Sequence, residues 1–325
     1  MNLLERDDLQ EYLSGCIRVE RADDHLLFHR HTERQIEYYR RMNESWWVRS
    51  RCPAGIRIEL VTDAMTLDLT GRLLRGSRQY AGIDVEVDGH VTGRIRIDTS
   101  EDSRTFRLAE FSTQERRQIT ITLPQSALLE AESLELAEET QVNPITNARV
   151  PYLALGDSIT QGMDASSPES AYPLQLAKIR DMNLLNLGVG GHVFDPDALD
   201  DELPFAPKLI TVAYGTNDWA RGTTREQVSE TVAEYLNRLN GTVGVGARLL
   251  VITPIWRAIG EEIKEGGDLV AFSEAIAQAA GSITGVTVVD GLSMVPHRDS
   301  LFVDGTHPTD EGFLHYAINL NRAFD

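Results

Sequence analysis

Ser158 stands in "PYLALGDSITQG" (Pro151–Gly162), where a run of mostly apolar residues leads into Gly-Asp-Ser. A serine hydroxyl is a weak nucleophile at neutral pH and needs a base within hydrogen-bond reach. The sequence "VDGTHP" offers one, His307, and places Asp304 three residues earlier on the same turn. From there a carboxylate can fix the imidazole tautomer and stabilise the imidazolium. Attack on an ester carbonyl creates an oxyanion that needs preorganised donors. The backbone N–H groups of Ser158 and of Gly191 in "NLGVGGH" could supply two, and the side-chain amide of Asn217 in "YGTND" a third. Glycine suits position 191 because the backbone there must turn and approach the substrate oxygen. Asp157 reads as a carboxylate that braces the loop rather than as a chemical participant.

These residues act together only if the fold gathers them. After "TQVNPITNARVP" (Thr140–Pro151), apolar runs of strand length appear in "YLALGDS", "NLLNLGVGG", "KLITVAYGTND", "RLLVITP" and "VTVVD". They are nearly continuous, as strands buried on both faces are. Helical stretches lie between them, at Ala171–Arg180 and Arg225–Leu239 and from Thr309 to about Phe324. Thr223 with Glu226 reads as a capping box before the second. Strands alternating with helices predict a parallel sheet covered on both sides, with ligands bound beyond the carboxyl ends of its strands. Ser158, Gly191, Asn217 and the Asp304–His307 turn all follow strand ends, so all converge on one edge.

Residues 47 to 140 have a different texture, alternating with period two. Ile56, Ile58 and Leu60; Met65, Leu67 and Leu69; and Ile83, Val85 and Val87 interleave with polar residues. Ile95 and Ile97, Phe106 and Leu108, Ile119 to Leu123, and Leu134 and Leu136 continue the series. Seven or so short strands with almost no helical pattern predict an antiparallel β-sandwich. The first 45 residues predict a short helix and one or two further strands. The expected organisation is a β-sandwich over residues 1–145 and an α/β unit over 149–325.

Composition is that of a globular protein, 42% hydrophobic and 25% charged. The net charge of −19 divides as −7 over residues 1–148 and −12 over 149–325. No basic stripe offsets it, which argues against nucleic acid or an anionic membrane surface as partner. No apolar stretch approaches the roughly 20 residues of a membrane span. The acidic N-terminus "MNLLERDDLQEYL" lacks the basic-then-apolar order of a signal peptide. A cytoplasmic protein is therefore expected, unless a leader has been removed. Two cysteines, Cys16 and Cys52, make no disulfide framework and no zinc site, and buried free thiols are the expectation.

The four blocks resemble the SGNH (GDSL) hydrolase superfamily. "GDSIT" matches its first block with Ser158 as nucleophile, "NLGVGG" the second with Gly191 as oxyanion glycine, "GTND" the third with Asn217, and "DGTHPTDEG" the last with Asp304 and His307. The resemblance implies a flavodoxin-like three-layer α/β/α fold. The whole chain resembles a two-domain branch with a jelly-roll-like β-sandwich first. "YAGIDVEVDG" (Tyr80–Gly89) is similar to the Gly-x-Asp-Leu-Tyr signature of that sandwich, keeping Gly82 and Asp84 but replacing Leu-Tyr by Val85 and Glu86. The implied activity is that of a serine esterase on short acyl esters, acetyl above all, borne by a small molecule or a carbohydrate. Acyl transfer by the same triad is the alternative, and a glycan-binding protein without activity the third reading. No cofactor and no metal is expected, and nothing in the sequence sets an oligomeric state.

Other residues invite a role. His192 and Trp219 follow Gly191 and Asp218 directly and are expected to line the substrate pocket, with Trp256 a weaker case. His25, His29 and His31 in "DHLLFHRH" read as solvated, since no cysteine or spaced carboxylate completes a metal cage. Trp46 and Trp47 read as a strand pair pointing to opposite faces.

Overall fold

The protein is described here from a computed structural model, which describes residues 1–137, 139–146 and 148–324. Its first part begins with β1 (Leu13–Ser14), β2 (Arg18–Arg21) and β3 (Leu26–His29), then helices α1 (Glu33–Met42) and α2 (Glu44–Ser50). The alternating stretch follows as β4 (Arg57–Thr62), β5 (Thr66–Arg75), β6 (Tyr80–Val87), β7 (His90–Asp98), β8 (Ser100–Glu110), β9 (Arg117–Thr122) and β10 (Ala127–Leu136), and β11 (Val142–Pro144) closes it. The strands form two antiparallel sheets, ordered β1-β4-β9-β6-β7 with β11 on β4, and β2-β3-β10-β5-β8. Leu67 and Leu69 of β5, Ile83 and Val85 of β6, Ile119 and Ile121 of β9, and Leu134 of β10 share one buried core between the sheets. Burying each such side chain fully stabilises by about 1.5–3 kcal/mol, which is why the period-two pattern selects a sandwich.

The second part is built on a parallel sheet. Its elements are β12 (Val150–Gly156), α3 (Ser158–Gln161), α4 (Tyr172–Ile179), β13 (Met182–Asn186), β14 (Leu209–Ala213), α5 (Thr216–Ala220), α6 (Arg225–Gly241), β15 (Arg248–Ile252), α7 (Leu269–Gly281), β16 (Val286–Val289) and α8 (Asp310–Arg322). The sheet order is β13-β12-β14-β15-β16. Along β12, Tyr152 and Ala154 face a core shared with α4 and α8, while Leu153 and Leu155 face one shared with α6 and α7. A strand apolar on both faces is thus explained by helices on both sides, and the layers are α/β/α. The order reverses at β12, so the crevice for a ligand opens beyond the ends of β12 and β14. No helix among the described residues is long and apolar enough to cross a membrane.

The two parts meet along β6. The face of β6 that alternation marks as polar is buried, because the segment Ser167–Ser170 lies on it. A Cβ on Gly82 would come within 2.8 Å of Pro168 Cδ, so only glycine lets the backbones approach. The Asp84 carboxylate accepts from the Glu169 N–H at 2.9 Å, and Lys178 of α4 bridges Glu86 and Glu169. The Gly-x-Asp signature is therefore a docking element between sandwich and α/β unit.

Several local expectations are corrected. The capping box is Thr224 with Gln227, whose side chains each accept the other's N–H at 3.2 and 3.0 Å. Thr223 is one position too early because its N–H closes a turn onto the Asp218 carbonyl. Trp46 and Trp47 lie in α2, not on a strand, capped by Asn43, whose side chain accepts the Trp46 N–H. His29 and His31 are buried rather than solvated, because the chain after β3 runs under β13. Burial pushes the His29 imidazole down to about 4. Both cysteines are free, Cys52 buried and Cys16 half-buried, and burial raises their thiols to about 11 and about 12.

Candidate active site

Strand β12 delivers Ser158 to the edge of the sheet. Asp157 caps α3, its Oδ1 accepting the Ile159 N–H at 2.9 Å, and the helix stops at Gly162. Ser158, buried at 5% exposure, turns its Oγ toward His307, and its own N–H donates to no protein group among the described residues. The imidazole Nε2 of His307 lies 2.9 Å from that Oγ. On the other side of the ring, Nδ1 lies 2.8 Å from Asp304 Oδ2. The Asp304 Oδ1 also accepts the N–H groups of Thr306 and His307, at 3.0 and 2.8 Å, so one carboxylate holds both turn and ring. The hydrogen bond from His307 holds the Asp304 carboxyl well below the usual carboxylate range. Ser158 follows the end of β12, but the Asp304–His307 turn does not follow a strand end as expected: β16 stops at Val289, and the turn lies just ahead of α8, so the chain Ser158–His307–Asp304 joins one strand end to a helix-entry turn.

The loop after β13 presents Gly191 in the left-handed region (φ 77°), with its N–H donating to no protein group among the described residues. Arginines hold the other side of the loop. Arg30 Nη1 donates to the carbonyls of Asn186 and Gly188, Arg49 Nη1 to that of Gly190, and Arg221 Nη2 to that of Gly191. These arginines hold the loop by the carbonyls of Asn186, Gly188, Gly190 and Gly191. Asn217 stands beside it on α5. Its Nδ2 donates to the His192 carbonyl at 3.0 Å and to Asp157 Oδ2 at 3.3 Å. Burial pushes the Asp157 carboxyl up to about 6, in keeping with a bracing role.

His192 and Trp219 do not line the crevice. The His192 ring is fully buried, edge-on to Tyr39, Trp46 and Tyr214; among the described residues neither nitrogen is hydrogen-bonded, and Nε2 lies 3.6 Å from Asp195 Oδ2. It fills a core that α1 and α2 build over the Gly191 loop. Trp219 is also fully buried, its indole N–H donating to the Gly267 carbonyl at 3.0 Å under the Arg257 guanidinium. Trp256 is half-buried against Phe302, just ahead of the Asp304 turn.

Other site residues carried no pattern in the sequence. Arg30 and Arg49 come from the first 50 residues, and Asp164 follows α3 and reaches His307. Arg30 lies inside "DHLLFHRH", between His29 and His31. An arginine that bonds only carbonyls leaves no motif. Asp164, Asp304 and His307 are also the one set of His, Cys, Asp and Glu groups among the described residues close enough to hold a metal ion, but Asp304 and His307 are already hydrogen-bonded to each other and His307 to Ser158.

Residues 154–313 match the family model of the GDSL-like Lipase/Acylhydrolase family. This α/β unit belongs to that family. No curated protein matches the chain. Among solved structures, the salicylyl-acyltransferase SsfX3 from a tetracycline biosynthetic pathway superposes with a TM-score of 0.84 at 17% identity, covering 96% of this chain and 93% of that one. A GDSL-like lipase from Bacteroides ovatus gives 0.77 at 18% identity, covering 97% and 95%. A family two carbohydrate esterase from Cellvibrio japonicus gives 0.68 at 18%, covering 97% and 94%. At these identities the likeness is one of fold, and it spans both parts of the chain. The fold of these neighbours thus extends over the part of the chain that precedes the GDSL-like unit.

Proposed function

We propose that the protein is a serine esterase that removes short acyl groups through an acyl-enzyme on Ser158. The observation that carries this reading is the continuous chain Ser158 Oγ, His307 Nε2, His307 Nδ1, Asp304 Oδ2, with links of 2.9 and 2.8 Å. Ser158 Oγ attacks the ester carbonyl while its proton passes to His307 Nε2. The free N–H groups of Ser158 and Gly191 receive the oxyanion, joined by the Asn217 amide, and each such donor is worth about 2.7–4 kcal/mol. The imidazolium then protonates the departing alcohol oxygen. Water repeats the sequence on the acyl-serine, giving the free acid and restoring Ser158. No step in this sequence needs a metal.

Acetyl esters of a carbohydrate or other small molecule are the favoured substrates. Support comes from the fold shared with family two carbohydrate esterases. The fold shared with a salicylyl-acyltransferase supports a second reading, in which an alcohol takes the acyl group in place of water. Both use the same residues. Hydrolysis of p-nitrophenyl acetate, butyrate and octanoate by wild type and Ser158→Ala, in excess EDTA, tests the first reading. The expected result is turnover that falls with chain length and is lost in the variant. No turnover by folded wild type on any ester would refute simple hydrolysis. Acyl product on an added alcohol in place of free acid would select transfer.

A further inference from the structure

His307 Nδ1 faces two carboxylates. Asp304 Oδ2 lies at 2.8 Å and Asp164 Oδ2 at 3.3 Å. The two acids differ in setting. Asp304 belongs to the histidine's own turn and its side chain is 48% exposed, whereas that of Asp164 is 9% exposed and comes from the loop after α3. Asp164 is held from the sandwich. Arg78 Nε donates to its Oδ1 at 2.6 Å, Arg78 Nη2 donates to its Oδ2, and the Tyr80 hydroxyl donates to Oδ1 at 3.2 Å. Arg78 and Tyr80 stand at the start of β6. A two-pronged guanidinium fixes the plane of a carboxylate as well as its charge. Two acids so close to one ring would repel each other, and Arg78 offsets one of them.

We propose that Asp164, clamped by Arg78 and Tyr80, is a second positioning residue for His307, so that the N-terminal sandwich takes part in orienting and charging the catalytic base. The inference rests on reading His307 as that base. It gives the additional domain a part in the chemistry besides any contact with substrate. Asp157 and Arg257 from the α/β unit also act on this cluster, as does Arg49, which lies near Arg78. They are unchanged in the variants below.

The test is an NMR titration of the His307 imidazole in the full-length protein, assigned with His307→Gln, in wild type, Asp164→Asn, Arg78→Met and Arg78→Lys. Asparagine tolerates the left-handed backbone at 164 (φ 70°). Removing the Asp164 charge leaves Arg78 uncompensated and moves the midpoint to lower pH. Removing the Arg78 charge leaves Asp164 uncompensated and moves it to higher pH. Each shift is about one pH unit, and Arg78→Lys stays near wild type. Opposite shifts support the proposal, because a purely structural role predicts none. Unchanged midpoints, or shifts in the same direction, overturn it. If Asp164→Asn fails to fold, the comparison of Arg78→Met with Arg78→Lys decides alone. The titration needs no ester turnover, so a wild type inactive on all esters would refute the esterase reading without touching this result.

Discussion

Arg30 Nη1 donates to the carbonyl of Gly188 at 2.8 Å, joining residues 158 positions apart. The same guanidinium donates to the carbonyls of Cys52 and Arg49, so it ties α2 to the oxyanion loop. It is fully buried, and no carboxylate is among its hydrogen-bond partners. Burial pushes it down to about 10, which leaves it charged at neutral pH. Hydrogen bonds to charged groups are worth more than neutral ones, and carbonyls stranded by its loss would lie buried. Arg30→Met is expected to cost about 3 kcal/mol or more in urea unfolding, and to lower kcat where the protein stays folded. Arg30→Lys is expected to recover little, since an ammonium lacks the planar fork that reaches several carbonyls at once.

Asn217→Ala is expected to lower kcat by about 10²-fold with little change in KM. The direction follows from an interaction made chiefly in the transition state. The Asn217 amide is spent on Asp157 and His192 until an oxyanion forms. A rise in KM at unchanged kcat would show that the amide binds substrate instead. Steady-state kinetics on p-nitrophenyl acetate separates the two.

Asp218 predicts a pH signature in stability. Its Oδ1 accepts the Phe194 N–H at 3.3 Å, while Oδ2 is buried without a partner. Burial pushes the carboxyl up to about 7 from 3.8. A carboxyl raised in the folded state contributes stability that is full below pH 3.8 and lost as pH rises through about 7. Asp218→Asn keeps an oxygen for Phe194 and removes the charge. Its stability relative to wild type is therefore expected to increase from pH 4 to pH 8, by on the order of 1 kcal/mol or more. Unfolding in urea across that range measures it, and a flat difference would mean that the site stays hydrated.

The sheet, its neighbours and the three blocks after β12, β13 and β14 were legible because each depends on local sequence, whereas the Asp304–His307 turn follows no strand. A strand buried on both faces must be apolar throughout, as Tyr152–Leu155 is, and a residue after a strand end is placed by the sheet. The sandwich was legible for the same reason, from β4 to β10. The chain over the site was not. Trp46 and Trp47, two adjacent bulky aromatics, look like strand until Asn43 caps a helix. His192 stands next to Gly191 in sequence, but the rings of Tyr39 and Trp46, some 150 residues away, draw it inward. The same holds for Asp164, whose meaning depends on Arg78 and Tyr80 across the interface.

The central claim is that Ser158 is the nucleophile, activated by His307. The most direct measurement is covalent labelling by diethyl p-nitrophenyl phosphate, read by p-nitrophenolate release and by mass spectrometry of the digested protein. Attack by Ser158 Oγ forms the O–P bond, expels p-nitrophenolate and passes the serine proton to His307. One phenolate per chain and a diethylphosphoryl group on the Ser158 peptide are expected, with esterase activity lost in step. Ser158→Ala should take no label there, and His307→Gln should react far more slowly. Label on another residue, or ester turnover that survives in Ser158→Ala, would contradict the account.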